Sequence, residues 1–107
     1  MDTKQRIREQ VTGSRVVLYM KGTPQFPQCC FSALAVQALN ACGVKQFFSV
    51  NVLENPDIRE GIKAYANWPT IPQLYVNGEF VGGSDIVKEM YQSGELQKML
   101  QGPAQKA

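Results

Sequence analysis

The sequence predicts an α/β domain built on a four-stranded mixed sheet with helices on both faces. Three observations carry that expectation. Helical and strand-like segments follow one another in the order α-β-α-β-α-β-β-α-α, the pattern of a layered sheet-and-helix domain. A helical stretch separates the first two strands, so they run parallel through a crossover. An Asn-Gly pair joins the last two, which makes them an antiparallel hairpin.

Each element has its own local reason. Ile7 and Val11 stand four apart on an otherwise polar opening segment, the apolar stripe of a short helix. "RVVLYMK" places five apolar residues in a row, β-branched at the front, as in a strand buried on both faces. "GTPQFPQ" is a loop punctuated by Gly22, Pro24 and Pro27. A helix begins near Cys29, with Phe31, Leu34, Ala35, Ala38 and Cys42 as its apolar stripe and Gly43 as its stop. "QFFSVNV" alternates Phe48, Val50 and Val52 along one face of a strand. "NPDIREGIKAYAN" offers Asn55 as N-cap and Pro56 as first helical residue, followed by Ile58, Ile62 and Tyr65 at i, i+4 and i+7. "PQLYVNGEFVGG" is the hairpin, and "SDIVKEMYQSGELQKML" gives one or two closing helices facing inward with Ile86, Val87, Met90, Leu96, Met99 and Leu100. No repeat or linker interrupts residues 1–107, so a single domain is expected.

Composition narrows the function. A formal charge of +2, with the basic residues scattered, argues against nucleic acid as main partner. No apolar run approaches the ~20 residues of a membrane span. The opening "MDTKQRIREQ" has neither the apolar core of a secretory signal nor the acidic-poor character of a transit peptide. A cytoplasmic protein without a membrane partner is expected. Three cysteines, an odd number without a secretory signal, favour free, reactive or ligating thiols over a disulfide framework. Histidine is absent. That removes imidazole acid–base catalysis, Cys–His nucleophiles and mixed Cys/His zinc sites from a single chain.

Cys29 and Cys30 are adjacent. A disulfide between them is improbable, because neighbouring Cα atoms lie about 3.8 Å apart and bridged ones roughly 4.4–6.8 Å. Two residues of one helical turn also point about 100° apart. A thioredoxin-like C-x-x-C is missing, since Ser32 stands three places after Cys29. Zinc or an iron–sulfur cluster wants four protein ligands, more than this chain supplies alone. The remaining role is nucleophile: a helix N-terminus and the nearby Lys21 both favour a Cys29 thiolate. The competing reading is a small residue in a loop-to-helix turn. Cys42 shares its helix's apolar stripe and reads as a buried, inert thiol.

"KGTPQFPQC-FS", "NPDIREGIKAYANWPTIPQLYVNGEFVGGSDIV" and their spacing closely resemble the monothiol glutaredoxins, over about residues 5–101. The resemblance implies the thioredoxin fold and a site for extended glutathione. Lys21 and Arg59 would hold its glycine carboxylate. Pro72 would follow Ile71 through a cis bond, leaving the Ile71 backbone to pair with the ligand. Ser84 and Asp85 of "GGSD" would meet the γ-glutamyl end at a helix N-terminus. Trp68 is as readily a packing residue as a ligand contact. The family further implies a [2Fe–2S] cluster bridged by two chains and two glutathiones, with Cys29 as the metal ligand, for transfer to iron–sulfur recipient proteins. A homodimer and heterodimers with BolA-type proteins follow. A glutathione-dependent thiol–disulfide oxidoreductase working through Cys29 is the alternative, and an iron or redox sensor using the same site a third. One position departs from the pattern: the family's Cys-Gly-Phe-Ser is Cys-Cys-Phe-Ser here, with Cys30 at the glycine.

Overall fold

The protein is described from a computed structural model covering residues 3–44 and 47–101. Its elements are α1 (Thr3–Gly13), β1 (Val16–Met20), α2 (Cys30–Ala41), β2 (Phe48–Asn51), α3 (Pro56–Ala66), β3 (Gln73–Val76), β4 (Glu79–Gly82), α4 (Ser84–Ser93) and α5 (Glu95–Gln101). The order is the one the sequence predicts. The strands form one sheet in the order β2-β1-β3-β4. β1 lies parallel to β2, with Val17 opposite Phe48. It is antiparallel to β3, with Val17 opposite Tyr75.

The continuous apolar run of β1 is explained by its central place, for all five residues are buried. Its side chains alternate between two cores, as a pleated strand requires. Val16, Leu18 and Met20 pack with Ala35, Val36 and Leu39 of α2, with Cys42 just past its end, and with Val87, Leu96 and Leu100 of the closing helices. Val17 and Tyr19 face the other way, onto Ile7 and Val11 of α1 and Ile58 and Ile62 of α3. Helices therefore cover both faces. Gly94, at φ 87°, ends α4 in a left-handed turn and divides the closing segment into two helices. Asn77 and Gly78 both take positive φ in the two-residue hairpin turn, the geometry that matches the twist of the flanking strands.

Three local expectations are corrected. Phe31 is 53% exposed, because a first-turn position keeps the helical spacing of the stripe while lying beyond the core. Phe48 is 43% exposed whereas Val50 is 7%. It opens an edge strand, where the helical cover has ended; Gln46, the expected first residue of that strand, lies outside the described residues. Asn55 does occupy the cap position of α3 and Pro56 does open the helix, but the Asn55 side chain makes no cap bond. Its Nδ2 instead donates to the Asn51 carbonyl at 3.0 Å.

Asn51 also accepts from the Gly22 and Leu53 amides, each at 3.0 Å. One side chain thus clasps the ends of β1 and β2. Gly22 is confined further: its φ is 92°, and a Cβ there would stand 2.5 Å from the Phe26 carbonyl oxygen and 2.6 Å from the Gln28 nitrogen. Gly22→Ala is expected to destabilise the fold by at least about 1–2 kcal/mol, the cost of a left-handed L-residue alone. A urea midpoint unchanged from the parent protein would contradict this.

Candidate functional site

The chain leaves β1 at Met20 and enters α2 at Cys30, and the loop between them is fastened at both ends. The Lys21 amide donates to the buried Ser32 hydroxyl at 3.0 Å. The Gln28 amide donates to the Lys21 carbonyl at 2.9 Å. Ser32 thereby ties the strand end to the first helical turn and fixes Cys29 between them. Cys29 is the N-cap residue, with extended φ −151° and ψ 138°.

Burial opposes ionisation of the Cys29 thiol, but it is outweighed by the Ser32 and Phe31 amides, the Lys21 charge and the Cys30 side chain. The thiol is held below its ordinary pKa. No side-chain bond of capping geometry closes on those amides; they act through the field that any helix N-terminus presents to an anion. Cys42 behaves oppositely, since burial pushes its thiol up. Cys29, Cys30 and Cys42 are all free, the first half-buried, the second exposed and the third buried.

Cys29 opens onto a cleft of about 480 Å³, within the range of small-ligand sites. The structure brings Lys21, Cys29, Arg59, Ile71, Ser84 and Asp85 together around it, joined by Phe31, Lys63, Pro69 and Thr70. The expected thiol and the five expected ligand-binding residues thus line one space, whereas Pro72 and Cys30 do not border it. Arg59 Nε is buried there with no partner, a donor awaiting an acceptor. Lys63 escaped the sequence reading, although it stands one helical turn beyond Arg59, a spacing that puts both on one face of α3. Ser84 and Asp85 are the first two residues of α4, whose N-cap is Gly83. Among the described residues no three His, Cys, Asp or Glu side chains converge as a metal site.

The far wall is a loop shaped by Gln73, a buried polar residue the sequence did not mark. Its Nε2 donates to the Trp68 and Thr70 carbonyls at 3.1 and 3.2 Å. Its Oε1 accepts from the Tyr75 hydroxyl at 3.2 Å. Beyond these bonds the Ile71–Pro72 peptide is cis, as the sequence resemblance implied. Trp68 does not line the cleft. It packs on Phe80 with ring centroids 5.5 Å apart.

Two outcomes follow from this geometry. Alkylation of Cys29 by iodoacetamide, followed by tandem mass spectrometry, should reach half its limiting rate at a lower pH than an ordinary cysteine of pKa about 8.5. Because reactivity resides in the thiolate, Lys21→Met should move that midpoint up; an unmoved midpoint would remove Lys21 from the account. Gln73→Leu should cost about 1–3 kcal/mol, the price of orphaning buried partners. A urea midpoint equal to that of the parent would contradict the role given to Gln73.

The comparisons agree with this architecture. The sequence model of the Glutaredoxin family matches residues 16–81. An uncharacterized monothiol glutaredoxin of Synechocystis is 58% identical over 100 residues, covering 94% of this chain and 92% of the relative. Glutaredoxin 4 of Escherichia coli K12 is 56% identical over 104 residues, covering 97% and 90%. Among solved structures, reduced apo GrxS14 of poplar superposes with a TM-score of 0.77 at 52% identity, covering 92% of this chain and 89% of that one. A truncated 1-C-Grx1 of Trypanosoma brucei gives 0.84 at 40% identity, covering 97% and 93%. With a thioredoxin-fold sheet, one activated thiol ahead of Ser32 and matches of this extent, the chain belongs to the monothiol glutaredoxin family.

Proposed function

We propose that this protein carries a [2Fe–2S] cluster, bridged between two copies of the chain by two Cys29 thiolates and two glutathiones, and hands it to iron–sulfur recipient proteins. The observation that carries the reading is the convergence of one activated thiol, three cations and a helix N-terminus on a single cleft. Such a cleft suits a short peptide with carboxylates at both ends. Lys21 and Arg59 would take the glycine carboxylate, satisfying the orphaned Arg59 Nε. Ser84 and Asp85, at the N-terminus of α4, would take the γ-glutamyl end, its carboxylate on the helix amides and its ammonium group on Asp85. Ile71, beside the cis proline, would pair through its backbone with the peptide.

The donor arithmetic supports the bridge. Cys29 offers one thiolate at the cleft, and Cys42 is sealed in the core. Two chains and two glutathiones together supply the four sulfurs an iron–sulfur cluster takes. A cluster held half by a dissociable small molecule suits transfer. BolA-type proteins are proposed to replace one copy in heterodimers. No helix among the described residues is long and apolar enough to cross a membrane. The reducing cytoplasm, which keeps such thiols free, is the proposed compartment.

The activated thiol also favours a second reading, removal of glutathione from protein thiols through a mixed disulfide at Cys29, resolved by free glutathione. Anaerobic reconstitution with iron, sulfide and glutathione separates the two. A brown species that elutes as a dimer and requires glutathione supports the carrier. A colourless monomer with prompt deglutathionylation supports the oxidoreductase. Cys29→Ser should abolish cluster assembly. Cys42→Ala should leave it intact at a stability cost of roughly 1 kcal/mol. Cys30→Gly, which restores the family residue, should keep or strengthen it; weaker binding would make Cys30 part of the cluster site.

A further inference from the structure

We infer that the outer edge of β2, with Arg15 beside it, is a docking site for an extended segment of a partner protein that carries an acidic side chain. Arg15 is the residue that points to a ligand. Its Nε and Nη2 are both buried and both without a hydrogen-bond partner. They are the parallel donors on one edge of the guanidinium group, the pair that grips a carboxylate in bidentate fashion. Arg15 belongs to neither of the ion pairs found among the described residues, Arg6–Asp57 and Lys63–Glu60. A permanently charged fork kept from water without an acceptor is costly, and an arriving anion relieves that cost. A charge that merely guarded a strand edge against aggregation would project into water instead.

The strand beside it is open. β2 is the outermost strand on its side of the sheet, paired with β1 from Phe48 to Asn51. The Val52 amide donates to the Met20 carbonyl at 2.9 Å, so alternation along the strand turns the Ser49 amide and carbonyl outward. An added strand would bond to them. Phe48, at the start of β2, is 43% exposed. It borders two adjoining concavities, one of about 430 Å³ shared with Arg15 and Phe47 and one of about 450 Å³ along α1. Glu9, the one carboxylate lining either, borders the second and not the one that holds Arg15.

The chemistry of the edge selects its occupant. One fork carries one positive charge, and among the described residues no second cation lines its concavity. That suits a carboxylate better than a phosphate dianion. The rings of Phe47 and Phe48 suit apolar residues flanking the acidic one, and arginine among aromatic rings is characteristic of protein interface cores. The site is also remote from the reactive thiol. Arg15 precedes β1 and Lys21 follows it, so roughly 20 Å of extended chain separates them. A partner held here leaves the Cys29 cleft open, and the inference stands apart from the glutathione and cluster readings.

The test is an NMR titration of the isotope-labelled, full-length chain with a blocked pentapeptide of valine and threonine around a central glutamate. Shifts are expected at the Arg15 Nε–H and at the amides of Arg15, Val16 and Phe48–Asn51, with those of Lys21, Arg59 and Ser84 unmoved. Exchanging the peptide's glutamate for glutamine should weaken binding about 10-fold or more, and so should Arg15→Gln. Arg15→Lys, which keeps the charge but loses the fork, should restore only part of the affinity. N-methylation of the peptide on the edge that meets Ser49 should weaken binding as well. Circular dichroism verifies the fold of each variant, and the peptide pair tests the anchor on the unaltered protein. Equal binding of the glutamate and glutamine peptides, no shift at all, or shifts confined to the cleft would overturn the proposal. Propionate matching the peptide at equal concentration would make this a site for free acids and overturn it. Concentration-dependent shifts of the same amides without peptide would assign the edge to a second copy, with the same consequence.

Discussion

The Ser32 hydroxyl, accepting the Lys21 amide at 3.0 Å, is the interaction on which the site depends. It is fully buried, so without that partner two polar groups would be stranded away from water. Because the bond joins the end of β1 to the first turn of α2, it sets the position of the residue between them. Lys21 and Cys29 are eight residues apart in the chain yet act on one another as charge and thiol. Asn51 reinforces the junction from β2 by holding the Gly22 amide. The chemistry at Cys29 is thus a property of a joint between elements, and the helix N-terminus is only one part of it.

The sheet turns that joint into a cleft. With β1 and β3 central and antiparallel, the loop entering β3 arrives beside the loop leaving β1. β4 then delivers the start of α4 to the same edge. Two cores, one on each face, hold this arrangement rigid. The cations of α3 reach the cleft from one layer and the α4 terminus from the other.

Much of this was legible in the sequence for identifiable reasons. Burial on both faces leaves a continuous apolar run, and the Asn77–Gly78 turn has its own signature, so the sheet could be ordered before it was seen. The site residues were legible largely through motif resemblance, with Lys21, Arg59 and Asp85 otherwise indistinguishable from surface charges. Ser32, Asn51 and Gln73 stayed hidden because their partners are remote in the chain and no periodicity announces a hydrogen bond. Phe31 was assigned to the core because spacing records direction around a helix but not the distance from its end. The helical-turn argument against a Cys29–Cys30 disulfide does not apply, because the helix begins at Cys30 with Cys29 as its extended N-cap, yet both thiols are free as expected.

Trp68 gives the architecture an optical consequence. It is the chain's single tryptophan, and its carbonyl is held by Gln73. Its indole nitrogen lies so near Gly83 that a Cβ there would stand 2.9 Å away. Gly83 caps the helix whose first two residues border the cleft. The fluorophore therefore sits behind both walls of the cleft and is not among the residues that line it. Its emission serves as an unlabelled gauge of the wall positions, free of direct quenching by an occupant in van der Waals contact.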